Sequence, residues 1–222
     1  MSYCPECGAT LERRVVAGEE RRHWFCRSCQ APRHDHPLLV VTCFVACGQR
    51  LLWVQRELEP KRGLWAIPGG FLESGETLAE GAARELGEEA GIWLPPQRLE
   101  LYMTGSITFI NQVYVAFRAA VDTPDCSPGP ESRACGFFSR EDCPWDEVAY
   151  PEVNDSIRQV YDDLACGIFG VWEAQMTAQR YELREVCREP RRRTREAESD
   201  NLPGLPPPVS YTHLTLPTNR EV

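Results

Sequence analysis

The chain has 222 residues, a formal net charge of −9 and a pI near 5.1. That length suits one medium domain with a small appendage, and the acidic balance argues against broad attraction to nucleic acid or anionic lipid, which needs a basic face. No basic segment leads into an apolar run at the start, and no stretch approaches the roughly 18 apolar residues of a membrane span, so the expected setting is the cytoplasm, with no membrane partner.

Residues 1–34 hold Cys4-Pro5-Glu6-Cys7 and Cys26-Arg27-Ser28-Cys29, a C-x2-C pair, 18 residues, and a second C-x2-C pair. Each short loop can present two thiolates to one tetrahedral Zn2+, and the ion supplies stability that so small a core cannot. With four protein ligands the site is closed, so the zinc is expected to be structural. Gly18 falls between the pairs, at the expected tip of a hairpin. The remaining seven of the eleven cysteines show no metal spacing and read as packing residues. RRHWFCR is locally basic with an aromatic pair, but the whole-chain charge disfavours nucleic acid as a partner.

Residues 38–46, LLVVTCFVA, read as a buried strand, and Gly48-Gln49 as a tight turn into a second strand over 50–57. GLWAIPGGFLESG (63–75) is too rich in Gly and Pro for one regular element and predicts a short strand and then a loop. Residues 77–90 have helical spacing, with Thr77 and Glu80 as a capping box and Gly91 as the stop. Strands are predicted over 98–110 and 112–121, then a loop with Pro124, Pro128, Gly129 and Pro130, and a short strand over 135–139. A helix over 154–166 with Asn154 as its cap follows, and a second helix is expected over 171–188. From 189 to 222 charge and proline replace apolar periodicity, which predicts disorder, and residues 209–222 resemble a translated sequencing-library adapter.

The chemistry concentrates in the 77–90 helix. Glu85, Glu88 and Glu89 stand at i, i+3 and i+4 and project from one face, while Ala79, Ala83, Leu86 and Ala90 give another face something to pack with. Three close carboxylates repel unless a cation lies among them, and hard Mg2+ or Mn2+ would bridge them to substrate phosphates. A solvated acidic face is the bland alternative.

The complete stretch from Gly70 to Ile92, GFLESGETLAEGAARELGEEAGI, resembles the Nudix signature at every specified position, and the surrounding likeness runs from about residue 38 to about 165. The resemblance implies an α/β/α sandwich around a mixed sheet over 35–170, preceded by a zinc ribbon over 1–34. It implies that Glu85, Glu88 and Glu89 ligate the cations, with the Gly70 carbonyl as a further oxygen, and that Arg84 and Glu76 orient the ligands through an ion pair. The proton acceptor is either a glutamate of this box or an acid in a distant loop, for which Glu131 is the candidate. The implied activity is cleavage of the pyrophosphate bond in a nucleoside diphosphate-linked small molecule. An SQPWPFP-like run, characteristic of NADH pyrophosphatases of this ribbon-bearing kind, is missing, and GPES followed by CPWDEVAYP fits ADP-ribose or FAD pyrophosphatases better. NADH hydrolysis, RNA-cap processing and a non-catalytic binding module on the same scaffold are the rivals. Relatives of this kind are often homodimers. Trp65, Tyr102 and Phe109 could stack on adenine but are expected in the core.

Overall fold

The computed structural model describes residues 2–16, 18, 20, 22–34 and 36–187. The expected disorder over 189–222 and the adapter-like end lie outside these residues. Two sheets divide the described chain. The first has three antiparallel strands, β1 (Leu11–Val15), β2 (Arg22–Cys26) and β3 (Ala31–Arg33). Gly18, at φ +89°, lies between β1 and β2. Within the first 34 residues, Cys4, Phe25 and Cys26 are the hydrophobic residues fully buried among those described.

The second sheet begins with β4 (Leu38–Cys47), which turns at Gly48-Gln49 into β5 (Arg50–Arg56) with Cys47 opposite Arg50. Two short strands, β6 (Trp65–Ala66) and β7 (Gly69–Phe71), fill the Gly/Pro-rich stretch, pairing with β5 and β4 respectively. Helix α1 (Leu78–Ala90) follows, and then β8 (Glu100–Ile107), β9 (Gln112–Ala120), β10 (Ser132–Phe138) and helix α2 (Asn154–Cys166). The strand order is β10-β5-β4-β9-β8 and then two final strands, with β4 and β9 parallel in an otherwise largely antiparallel arrangement. Paired on both edges and covered on both faces, β4 needs the near-continuous apolar run that its sequence has.

The side chains of β4 alternate between two cores. Val41, Cys43 and Val45 point to the side where Ala82, Ala83, Leu86 and Ala90 of α1 pack. Phe44 and Ala46 point to the side where Ile157, Val160 and Tyr161 of α2 pack. One helix on each face of a mixed sheet is the α/β/α sandwich expected from the sequence.

Two expectations fail. The segment over 171–188 is not a helix but a hairpin of β11 (Val171–Met176) and β12 (Tyr181–Cys187), and β11 extends the sheet by pairing in parallel with β8. Ala, Glu, Gln, Met and Arg suggest helix by propensity, yet Trp172, Ala174 and Met176 are buried in alternation with Glu173 and Gln175, and the open edge of β8 overrides propensity. Asp163 fixes this arrangement. Only 1% exposed, it accepts from the Tyr102 hydroxyl at 2.9 Å, Trp172 Nε1 at 3.0 Å and Gln159 Nε2 at 2.9 Å, tying α2 to β8 and β11. Asn154 does not cap α2: the helix starts at that residue with no side-chain cap, and a single 3-10 turn over Pro151–Val153 sets its entry. No helix of the described residues is long and apolar enough to cross a membrane.

Candidate active site

Helix α1 is built to hold its acids still. Thr77 accepts the Glu80 N–H while the Glu80 carboxylate accepts the Thr77 N–H, the reciprocal box that closes the first turn. Gly91 ends the helix at φ +66°, and its N–H returns to the Gly87 carbonyl. Beyond the usual cap, two backbone groups of the 121–131 loop satisfy the final carbonyls: Ser127 N–H donates to Ala90 at 2.8 Å and Gly129 N–H to Glu89 at 3.1 Å. A Cβ on Gly129 would stand 1.6 Å from the Glu88 carbonyl oxygen, so this loop touches the helix at the turn that bears the acids.

Glu85, Glu88 and Glu89 differ sharply in surroundings. Glu88 is half exposed and Glu85 mostly covered, and both accept from Arg84 Nη1, at 3.0 and 2.8 Å. Glu89 is 8% exposed and accepts the Gly69 N–H at 2.9 Å. Burial pushes its carboxyl up to about 7; the Gly69 N–H and the charge of Arg56 oppose this, whereas Glu85 and Glu131 add to it. Burial also raises Glu85, against the pull of Arg84. Gly70 lies against the same group: a Cβ there would come within 2.4 Å of Glu85 Oε1, so only glycine lets the backbone approach this carboxylate.

Arg84 organises the cluster. Its Nε and Nη2 grip Glu76 at 2.7 and 3.1 Å, and Nη2 also donates to the Phe71 carbonyl at 3.2 Å. The Arg84 guanidinium holds Glu76 below the usual carboxylate range, helped by the Glu73 N–H, and Glu76 in turn raises Arg84. One guanidinium therefore pins the loop before α1 to two of its three acids. Glu131 is exposed on the docked loop, and its carbonyl accepts the Glu57 N–H at 2.9 Å, so this stretch is tied at both ends rather than swinging free. Its charge is felt at both Glu85 and Glu89. Sequence reasoning missed Gly69, Gly129 and Arg56 as parts of this neighbourhood. The Gly-Gly pair before the helix was a signal for the first; the other two join it only through tertiary contacts.

The donor set suits a hard divalent cation: carboxylate oxygens, with Glu85 and Glu88 sharing one guanidinium with Glu76 and Glu89 held only by a backbone N–H, beside a backbone stripped of side chain at Gly70. The four N-terminal sulfurs suit a softer ion. Their Sγ atoms all lie within 4.8 Å of one another, the only His, Cys, Asp or Glu group among the described residues so tightly gathered. Cys4 and Cys29 are 3.9 Å apart and Cys7 and Cys26 are 3.5 Å apart, close to the roughly 3.8 Å tetrahedral edge set by a Zn–S bond of about 2.3 Å. Arg33 Nη2 and the Cys29 N–H point at Cys4 and Cys26 sulfurs, both at 3.4 Å, which is how thiolates are held.

The NUDIX domain family model matches residues 36–164. The chain belongs to the NUDIX family. A NUDIX hydrolase from Nitrosomonas europaea superposes with a TM-score of 0.71 at 30% identity, covering 80% of this chain and 99% of that one. An ADP-ribose pyrophosphatase from Methanocaldococcus jannaschii is 39% identical over 57 residues, 26% of this chain and 34% of that protein. An NAD-capped RNA hydrolase, NudC, from Photobacterium profundum is 25% identical over 139 residues, 63% of this chain and 50% of that protein. The chain thus spans half or less of the length of these two relatives. Of the aromatics expected in the core of this NUDIX domain, Tyr102 is fully buried and Trp65 is half-buried against Phe138, whereas Phe109 is 50% exposed.

Proposed function

We propose that the chain is a divalent-metal-dependent hydrolase that cleaves the pyrophosphate bond of a nucleoside diphosphate derivative, ADP-ribose or FAD. The observation that carries this reading is the packing of Glu85 and Glu89 against a Gly69-Gly70 backbone with Arg84 and Glu76 behind them: Glu89 is buried with no cationic partner within ion-pair distance and Glu85 shares one guanidinium with Glu76 and Glu88, an arrangement that costs stability and is explained by a cation and an anionic substrate. Glu85, Glu88 and Glu89, with the Gly70 carbonyl, would hold Mg2+ or Mn2+. Such ions supply charge neutralisation for pyrophosphate oxygens and acidify water. Arg84 and Glu76 orient the ligands, and Glu131, fixed near Glu85 and Glu89 by its docked loop, takes the proton from the attacking water. The Cys4, Cys7, Cys26 and Cys29 cluster would hold a structural Zn2+.

ADP-ribose is favoured by the likeness of a 57-residue stretch to the pyrophosphatase of M. jannaschii, and FAD shares the same adenylate half. The longer likeness to NudC favours a second reading, removal of a nucleotide cap from RNA. The reading also includes a cytoplasmic homodimer, which light scattering checks. The deciding experiment incubates the purified protein with Mg2+ or Mn2+ and ADP-ribose, FAD, NADH or capped RNA, beside Glu89→Gln. Release of AMP from ADP-ribose or FAD, lost in Glu89→Gln, is expected; a 5′-monophosphate RNA end freed from capped RNA instead would favour the second reading, and a folded protein silent on all four overturns both in favour of a binding module.

A further inference from the structure

The first 34 residues contain six arginines and four glutamates with no aspartate or lysine, in a chain whose net charge is −9. The ribbon is therefore cationic and everything after it strongly anionic. Opposed residues of an antiparallel pair share a face, and alternate residues along a strand share it too. Arg13 faces Trp24, Trp24 faces Arg33, and Val15 faces Arg22, so one face of the ribbon carries a cross-strand row of arginine, tryptophan and arginine with Arg22 and Val15 alongside. Arg33 is turned inward to Glu6 and the Cys4 sulfur. Arg27 pairs with Glu12. Arg13 and Arg22 are exposed and form no ion pair among the described residues, and the Arg13 guanidinium lies 4.8 Å from the Trp24 ring centroid while donating to the Arg22 carbonyl at 3.1 Å.

We propose that this face, built on Arg13, Arg22 and Trp24, is a binding surface for single-stranded RNA, separate from the carboxylate cluster. An indole ring offers a flat surface on which any base can stack, and guanidiniums spared from carboxylates neutralise the flanking phosphates. Acidic groups farther than about 8 Å are screened at physiological ionic strength, so the whole-chain balance that argues against nucleic acid does not govern this face. The charge separation within the chain also argues for the occupant: an anionic protein sets two exposed arginines, without an ion pair among the described residues, beside a half-buried tryptophan, where a polyanion with stacking bases is matched and an acidic peptide has nothing for the ring. The surface stands whatever the hydrolase cuts.

The test is fluorescence anisotropy of a labelled twelve-nucleotide RNA with the full chain, over a series of salt concentrations. Binding is expected, weakening with salt at a slope near −0.7 per phosphate contacted. The Arg13→Glu/Arg22→Glu variant should abolish binding, and Trp24→Leu should weaken it on the order of tenfold. Arg180→Glu/Arg184→Glu, which changes the net charge equally elsewhere, should leave it intact. Should charge reversal unfold the ribbon, seen as a lost melting transition, Arg13→Gln/Arg22→Gln is read instead, by a salt slope shallower by about 1.4. No binding at low salt, equal loss in both charge-reversed variants, or tighter association with phosphatidylserine vesicles than with RNA would each overturn the proposal.

Discussion

The ribbon and the NUDIX domain hold themselves together by opposite means, and each keeps one cluster of ligand-type side chains. Among the described residues of the ribbon, three hydrophobic residues are fully buried and two of those are cysteines, so apolar packing contributes little to this sheet and the gathered sulfurs are what a bound ion would tie together. In the domain two apolar cores sandwich the sheet, and that surplus lets it tolerate the buried acid of Glu89 beside the mostly covered Glu85 that repels it. With the proposed Zn2+ bound, one cluster adds stability, whereas the other consumes it. The same distinction separates a soft four-sulfur set, suited to a closed zinc site, from a hard oxygen set that under the proposed function holds a cation open to substrate.

The largest effect should come from removing metal with a strong chelator. A structural zinc of the kind proposed for the four cysteines would contribute on the order of 10 kcal/mol to so small a module, so amide exchange in β1, β2 and β3 should lose its protection while β4 and β9 keep theirs. Protection that survives in a demonstrably metal-free sample would show that the ribbon stands without an ion and would erase the contrast. Within the domain, Asp163→Ala should cost about 3–5 kcal/mol, because it strands the Tyr102 hydroxyl and the Trp172 N–H in the core. Urea denaturation reads this, and the ribbon's exchange should not change. Gly129→Ala comes next, at about 1–3 kcal/mol, since the added methyl meets the Glu88 carbonyl and must push the loop off the helix. If that loop positions Glu131, the turnover number should fall further than stability does; an unchanged turnover number would remove Glu131 from the mechanism.

Much of this contrast can be read in the sequence because it rests on local patterns. The C-x2-C spacing, the capping box at Thr77 and Glu80, and the unbroken apolar run of β4 each encode their geometry within a few residues. The failures share a cause. The hairpin over 171–187 uses helix-favouring residues, and what makes it a strand is the free edge of β8, seventy residues earlier in the chain. Phe109 looks like a core aromatic but lies in the turn between β8 and β9 and stays half exposed. Glu89 resembles its neighbours in sequence, and its one backbone donor, the Gly69 N–H, reaches it only in the folded chain. Charge misleads in the same way, because a whole-chain sum hides the division between ribbon and domain.

The smallest expected effect is the most local. Thr77→Ala removes the hydroxyl that accepts the Glu80 N–H at 3.3 Å and frees the Glu80 carboxylate from its hydroxyl partner, costing about 1 kcal/mol. The melting temperature of the domain should drop by about 2–4 °C. The acids lie two to three turns further on, and their positions are held by Arg84, Gly69 and the docked loop rather than by the cap. Affinity for Mn2+, measured by calorimetry, should therefore stay within a factor of about two of the wild type, whereas Arg84→Lys, which gives up the paired grip on Glu76, should weaken it about 10- to 100-fold. Equal losses of Mn2+ affinity in the two variants would mean that the rigidity of α1, and not the guanidinium, positions the glutamates.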